Sequence, residues 1–464
     1  MKPTPPALPR SPFVGNTLQF MRNRDGLLLQ GFKSLGPVFS LKLAGKNAAV
    51  LIGPEYHQMF FTETDRRLSM HKSYKFLAAA FGKVAFAGPP EVYTAQRSIL
   101  HSPFKGEKAV KSIQVMQIEI RQWLDSLGEQ GEMELTSEIG TLVQNVAAHA
   151  LMGKAFREQA SREFWKLYLI LGQSLDAMLP PYLPLPKFIR RDQARNKLRA
   201  ILRPMLVERR AHPEQYDDFL QDFVNARYKD GRPVEDETLL SLILGLMFAG
   251  HETTAGQAAW TIIEILRHPA YLEMVQEEIA AYLSPGQPLD ARVLSSLEHI
   301  FWAVQETTRI HPSADMLWRR AEEDIDIGDY RIPRGWNLMV SPGIAQRLPE
   351  LFAEPQEFDP LRFAPGRKED RQHRFAIIGF GGGIHKCAGM NFANNEMMLI
   401  TSLLFQQFDL ELLTQNPQAS HDMGASRPSK TLVYYRRKSN FAANTSEQQI
   451  AVAGCPYHAV QSDV

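Results

Sequence analysis

The sequence predicts one large domain, mainly α-helical with a small β region. Helical periodicity recurs across most of the 464 residues, strand-like alternation is confined to short pieces, and no repeat of fixed period is present. With 44% apolar and 10% aromatic residues, the chain can bury a sizeable core.

Residues 1–16 read as an extended, proline-rich lead-in, because Pro3, Pro5, Pro6, Pro9 and Pro12 deny helix. A compact body is expected over 17–437. Over 40–52 (SLKLAGKNAAVLI) alternation with a Gly-Lys-Asn turn signal predicts a β-hairpin. Helices follow at 107–127, 139–152, 160–176, 190–210, 237–267, 270–283 and 297–310, and strands at 324–340 and 430–436. Residues 438–464 are polar with scattered alanines and read as a tail, or as a linker toward a further module.

Lys plus Arg (52) nearly equal Asp plus Glu (51), so nothing points to a nucleic-acid partner. Two cysteines, Cys387 and Cys455, exclude a disulfide framework and suit a reducing compartment; a soluble, cytoplasmic monomer is expected. The N-terminal MKPTPPALPRSPFVGN lacks the apolar run of a signal peptide, and the apolar stretch 239–250 is too short to span a bilayer. Peripheral membrane contact by the lead-in stays open. Cys455, before Pro456, reads as an exposed thiol.

The strongest signal lies at 375–405, FAIIGFGGGIHKCAGMNFANNEMMLITSLLF. Gly381, Gly382 and Gly383 would let backbone approach a flat ligand, and Cys387 immediately precedes a helical pattern. A sulfur at a helix N-terminus is favoured as thiolate by the positive dipole end. Gly389 would let the new helix pack closely on the ligand. A lone cysteine here would otherwise read as a buried, inert thiol, and a zinc site would need a second ligand pair beside His385 and Cys387.

Residues 239–268 (LLSLILGLMFAGHETTAGQAAWTIIEILRH) are apolar almost all round, so this helix should run through the core. Gly250, His251, Glu252, Thr253 and Thr254 interrupt it midway, where an acid and hydroxyls are costly unless bonded or used. An acid and alcohol pair is suited to delivering protons in a water-poor site. The plainer reading has Thr253 bonding back to a carbonyl one turn earlier.

Phe380, Gly383, Cys387 and Gly389 fit F-x-x-G-x-x-x-C-x-G, which arises by chance in on the order of one chain in a thousand. On this pattern the chain resembles the cytochrome P450 family. The resemblance implies that fold, with 17–437 as the catalytic domain and Cys387 as the axial thiolate of a haem b (iron protoporphyrin IX), lined also by Phe380, Gly381 and Gly389. Ala249, Gly250, His251, Glu252 and Thr253 match A/G-G-x-D/E-T, which assigns Thr253 to bound dioxygen and Glu252 to a proton relay. Glu306 and Arg309 match E-x-x-R, weak alone since Glu63/Arg66 and Glu264/Arg267 match too and read as solvated pairs. Phe352, Pro355, Phe358, Pro360, Arg362 and Phe363 follow at the family's distance, so Arg362 would complete a triad with Glu306. Haem propionates need cations or donors. The family's positions match His385, Arg319 in LWRRA, and Arg97, with Tyr93 where Trp is usual; Tyr74 and His101 are additions.

Segments 73–83, 180–198 and 246–268 look like the bacterial sterol 14α-demethylase branch, in which Tyr74, Phe81, Phe248 and Ala249 would border the substrate. Two departures bear on substrate: Glu252 stands where that branch usually has His, and Ala87 or Gly88 near its usual Asp. A sterol is the first expectation, a fatty acid or terpenoid the alternative. The resemblance implies dioxygen as co-substrate and three oxidations of one methyl group, released as formate. Electrons would come from NAD(P)H through a redox partner such as a ferredoxin with its reductase, since no flavin or iron–sulfur motif is present. A haem-thiolate isomerase, dehydratase or peroxygenase, or a haem-binding sensor, are the rivals; Glu252 and Thr253 would be surplus to them.

Overall fold

The computed structural model of the chain describes residues 2–441 except 83, 86, 161, 178, 284–288 and 421–424, and leaves the side chain at 103 undescribed. Cys455 and most of the expected tail lie outside the described residues.

The lead-in is extended, as its prolines require, and it docks on the first strand: Leu8 N donates to Ser40 O and Ser40 N to Pro6 O, at 2.9 and 2.8 Å. The hairpin forms from strands Val38–Leu43 and Lys46–Leu51, with Leu43 opposite Lys46. Its turn is Ala44-Gly45, both at positive φ (46° and 79°), rather than the expected Gly-Lys-Asn. The hairpin supplies two strands of a five-stranded sheet completed by Asn337–Val340, Leu317–Ala321 and Leu68–Ser69. Lys46–Leu51 pairs in parallel with Asn337–Val340; the other pairings are antiparallel. A second sheet joins Gln130–Glu134, Leu432–Arg437 and Phe408–Leu412. The expected strand 324–340 is three short strands, Ile325–Ile327, Tyr330–Ile332 and Asn337–Val340, because turns at Gly328 and Gly335 (φ 52° and 87°) break it.

Helices dominate the rest. The expected 139–152 helix begins earlier, at Leu135, because Glu134 caps it by accepting from Thr136 N and Ser137 N at 3.3 and 2.9 Å. A glutamate cap does not carry the usual Ser, Thr, Asp or Asn signal. The expected 160–176 helix is Arg162–Gln173, and a short helix that the periodicity did not show, Lys154–Gln159, precedes it.

The long helix Asp236–Arg267 fixes the site. Its first part, Leu239 to Met247, packs in one apolar cluster with Phe81, Phe164 and Leu198. Its last part, Ala255 to Ile265, packs in another with Met116, Val143 and Leu399. The whole helix, longer than the apolar stretch 239–250, is long and apolar enough to cross a membrane by length and composition alone, but 72% of its most apolar window is buried inside the protein, as in a core helix. Between the two clusters lie residues 248–254, the polar interruption.

Candidate active site

Helix Met390–Gln407 starts three residues after Cys387, with Gly389 at its N-cap. The loop before it closes on itself: Cys387 N donates to Phe380 O at 2.9 Å, and Gly381 and Gly383 take φ of 70° and 64°. The glycine run also meets a packing requirement that the sequence did not show. A Cβ at Gly382 would lie 2.8 Å from the Phe61 ring, and one at Gly383 2.6 Å from Phe61 O. Gly382 and Gly383 are therefore needed for the loop to pack on helix Pro54–Thr62. A Cβ at Gly389 or at Gly250 would meet nothing within 4 Å, so that side of each is open.

Cys387 presents accessible surface, yet protein surrounds its sulfur closely. Burial pushes the thiol above its usual range, against the Gly389 N–H and Lys386, which pull it down. The helix terminus therefore does not by itself make a thiolate here; a bound metal ion would. Ala388 and Phe392, just beyond, pack against the cluster that holds Phe81 and Phe248, whose rings are 4.9 Å apart.

On the long helix, Phe248, Ala249, Gly250 and Thr253 regain surface while their neighbours stay buried. Thr253 Oγ1 donates to Ala249 O at 2.8 Å, the plainer of the two expected bonds. Glu252 is turned into the protein: Arg427 Nη1 donates to its Oε2 at 3.2 Å, and its Oε1 lies 3.4 Å from His251 Nδ1. His251 Nε2 is 3.0 Å from Gly140 O. Ser313 Oγ donates to Thr253 O at 2.9 Å. The acid and the alcohol thus occupy different faces.

The expected propionate partners converge around the cysteine loop. Tyr93, Arg97 and His101 lie one turn apart on helix Pro90–His101. Tyr93 Oη donates to Ile384 O, and its ring lies 4.0 Å from that of His385. Arg97 is exposed; burial, then Arg97 and Lys105, lower the pKa of His101. Arg319 is buried on strand Leu317–Ala321, its Nε donating to Thr64 Oγ1 at 2.9 Å. Tyr74 Oη accepts from Trp318 N at 3.2 Å, on the same strand. Burial lowers the Arg319 pKa, against Tyr74 and Asp65.

Glu306, Arg309 and Arg362 form a fully buried triad: Arg309 Nε to Glu306 Oε2 at 2.7 Å, Arg362 Nε to Glu306 Oε1 at 2.9 Å. Arg309 Nη1 also donates to Gln346 O and Pro355 O, fixing the segment that leads to the cysteine loop. Glu264 is no solvated pair: it is buried, and beyond Arg267 it bonds His311 Nε2 at 2.8 Å.

Sequence reasoning missed Asp65, whose Oδ2 lies 2.6 Å from His385 Nε2, and Arg427. Neither lies in a motif, and their partners are 320 and 175 residues away.

The residues present fit a haem: a thiol with accessible surface, a helix strip bared only at 248–250 and 253, open faces at Gly250 and Gly389, and cations and donors around His385. The family model for cytochrome P450 matches residues 5–435. Obtusifoliol 14-alpha demethylase from Sorghum bicolor is 30% identical over 94% of this chain and 91% of its own. Sterol 14alpha-demethylase from Mycobacterium tuberculosis H37Rv is 31% identical over 92% of this chain and 96% of its own. The solved structure of retinoic acid bound cyanobacterial CYP120A1 superposes with a TM-score of 0.84 at 26% identity, covering 94% of this chain and all of that one. Fold and matches together define a haem-thiolate oxygenase scaffold. The chain belongs to the cytochrome P450 family, whose monooxygenases act on lipophilic substrates with dioxygen and electrons from a redox partner.

Proposed function

We propose that this protein is a sterol 14α-demethylase-like monooxygenase, with Cys387 as the thiolate ligand of a haem b. Bound there, haem supplies the activation of dioxygen. The rest falls to the chain. Cys387 is held by the Phe380 carbonyl and by the packing of the glycine loop on Phe61, and these contacts position the sulfur. His385, Arg319, Arg97, Tyr93 and Tyr74, with His101, offer donors and cations to the propionates. Thr253 Oγ1 donates to Ala249 O in the resting arrangement and would turn to hold a proton donor or acceptor toward dioxygen. Glu252 is the nearest acid along the helix that can pass it a proton, provided its bond to Arg427 opens. Phe81, Phe248, Ala249 and Tyr74 border an apolar substrate.

The observation that carries the reaction class is the fixed Cys387 loop beside a buried helix bared only around Thr253. The sterol is supported by the names of full-length relatives at 30–31% identity. Removal of the methyl group would take three successive oxidations, with formate released and electrons passed from NAD(P)H through a ferredoxin-type partner. A second reading, an isoprenoid carboxylic acid, is favoured by the retinoic acid in the structural relative.

The reduced, carbon-monoxide-bound protein should show the red-shifted thiolate band, and Cys387→His should abolish it; its absence from the wild type overturns the class. Titration with lanosterol-like sterols should shift the ferric spin state at lower concentration than retinoic acid or long-chain fatty acids. The reverse order assigns the second reading.

A further inference from the structure

We propose that Asp65 is a positioning residue that sets the reduction potential of a haem bound at Cys387, through the side chains that hold the propionates. The inference rests on the haem-thiolate reading above.

Asp65 follows the turn after helix Pro54–Thr62 and has φ of +64°, a conformation few side chains tolerate and Asp tolerates best with Asn. Its N–H is bonded to Leu68 O at 2.7 Å, so the strained backbone is locked. Its side chain is 9% exposed and its Oδ2 lies 2.6 Å from His385 Nε2. The preceding residue, Thr64, accepts from Arg319 Nε at 2.9 Å. The same carboxylate acts electrostatically on both Tyr93 and Arg319. One acid therefore stands among three groups assigned to the propionates, where two further carboxylates would arrive with the haem.

Holding the loop in place would need only an acceptor for His385; a neutral amide could supply it. The charge has a separate effect. With Nε2 of His385 engaged by Asp65, only Nδ1 remains for a propionate, and the field of Arg319 is partly cancelled before it reaches the haem. Reduction adds an electron to the iron, so a nearby negative charge in a poorly solvated site disfavours the ferrous form. The same balance holds whether His385 is neutral or cationic, since removing Asp65's charge makes the cluster more positive in either case.

The test is a spectroelectrochemical titration of wild type, Asp65→Asn and Asp65→Glu, all as holoprotein. Asn keeps the acceptor and tolerates the same backbone; Glu keeps the charge. Asn should raise the ferrous-to-ferric ratio at a fixed potential on the order of several-fold, with haem content and the carbon-monoxide band unchanged, while Glu should match wild type. An unshifted Asn variant overturns the proposal and leaves Asp65 as a clamp on the loop, and so does an equal shift in both. If neither variant retains haem, Asp65 is a determinant of the fold and the proposal also falls. A wild type without the red-shifted band would defeat the haem-thiolate reading instead, before any variant is measured.

Discussion

Arg427 donates from Nη1 to Oε2 of Glu252 at 3.2 Å, joining a C-terminal hairpin, strands Ala419–Ser420 and Arg427–Pro428, to the middle of the long helix. The hairpin strand is pressed on the helix one turn further along, since a Cβ at Gly256 would lie 2.8 Å from Ser426 O and 3.0 Å from Arg427 Cβ. Ser426 N donates to Ser313 O, and Ser313 Oγ to Thr253 O, at 2.8 and 2.9 Å. Hairpin, Ser313 loop and helix are therefore stitched together around the acid and the alcohol. Glu252 is 5% exposed at its side chain, too little for water alone to solvate a carboxylate.

Arg427→Met should consequently lower stability by about 1–3 kcal/mol, because it leaves that carboxylate without its cation. Glu252→Gln with Arg427→Met should lose less than the two single changes together, as both charges then leave at once. Chemical denaturation of the four proteins measures the coupling; strict additivity would mean that the pair contributes nothing.

The cysteine loop gives a second prediction. Gly383→Ala places a side chain at φ +64° and a Cβ 2.6 Å from Phe61 O, a backbone atom that cannot be mutated away. Gly382→Ala instead meets the Phe61 ring, at 2.8 Å. Both should cost stability by about 1–3 kcal/mol. Adding Phe61→Leu should recover part of the loss for Gly382→Ala and none for Gly383→Ala. Thermal unfolding of the two double variants decides it, and equal rescue in both would contradict the contacts.

That loop also marks how far the sequence could be read. The cysteine and the glycines were legible because local spacing fixes them, the charged triad because the family's motif sets Arg362 at its distance from Glu306, and the long helix because apolar periodicity persists through it. The packing of Gly382 and Gly383 on Phe61 was not legible, because Phe61 is over 300 residues away in the chain. The same holds for Asp65 and Arg427, single charged residues in segments with no pattern of their own. Thr253 and Glu252 were recognised as polar interruptions, yet periodicity alone could not place the acid against a hairpin strand from the other end of the chain. The strand Leu317–Ala321 carried only a motif, since its alternation is masked by the buried Arg319 at its centre.

His57 supplies a pH dependence. Its Nε2 accepts from Gly53 N at 3.4 Å and its Nδ1 lies 3.2 Å from Phe375 O, so the neutral ring with a proton on Nδ1 satisfies both. Burial then lowers its pKa from 6.5 to about 4, with the Phe375 carbonyl opposing. The unfolded chain binds this proton first as pH falls, so the stability contribution is complete above 6.5 and is lost progressively down to about 4. At about 1.4 kcal/mol per unit, the loss is about 3 kcal/mol. His57→Gln should flatten this part of the stability profile between pH 7 and 4; an unchanged slope would assign the acid sensitivity elsewhere.

Glu396 predicts the opposite sign. It is fully buried in helix Met390–Gln407, its Oε1 has no hydrogen-bond partner, and burial raises its carboxyl well above the ordinary value of 4.5. In the folded protein it keeps its proton, while the unfolded chain gives it up above 4.5. Its contribution is therefore complete in acid and declines as pH rises, by about 1.4 kcal/mol per unit until the folded group itself ionises. Glu396→Gln removes the penalty with little change of shape, so the variant should withstand more denaturant than wild type at pH 8. The advantage should shrink toward pH 4, where both folded and unfolded Glu396 are protonated. A Gln variant that is less stable at pH 8 would contradict a burial penalty on the Glu396 carboxylate.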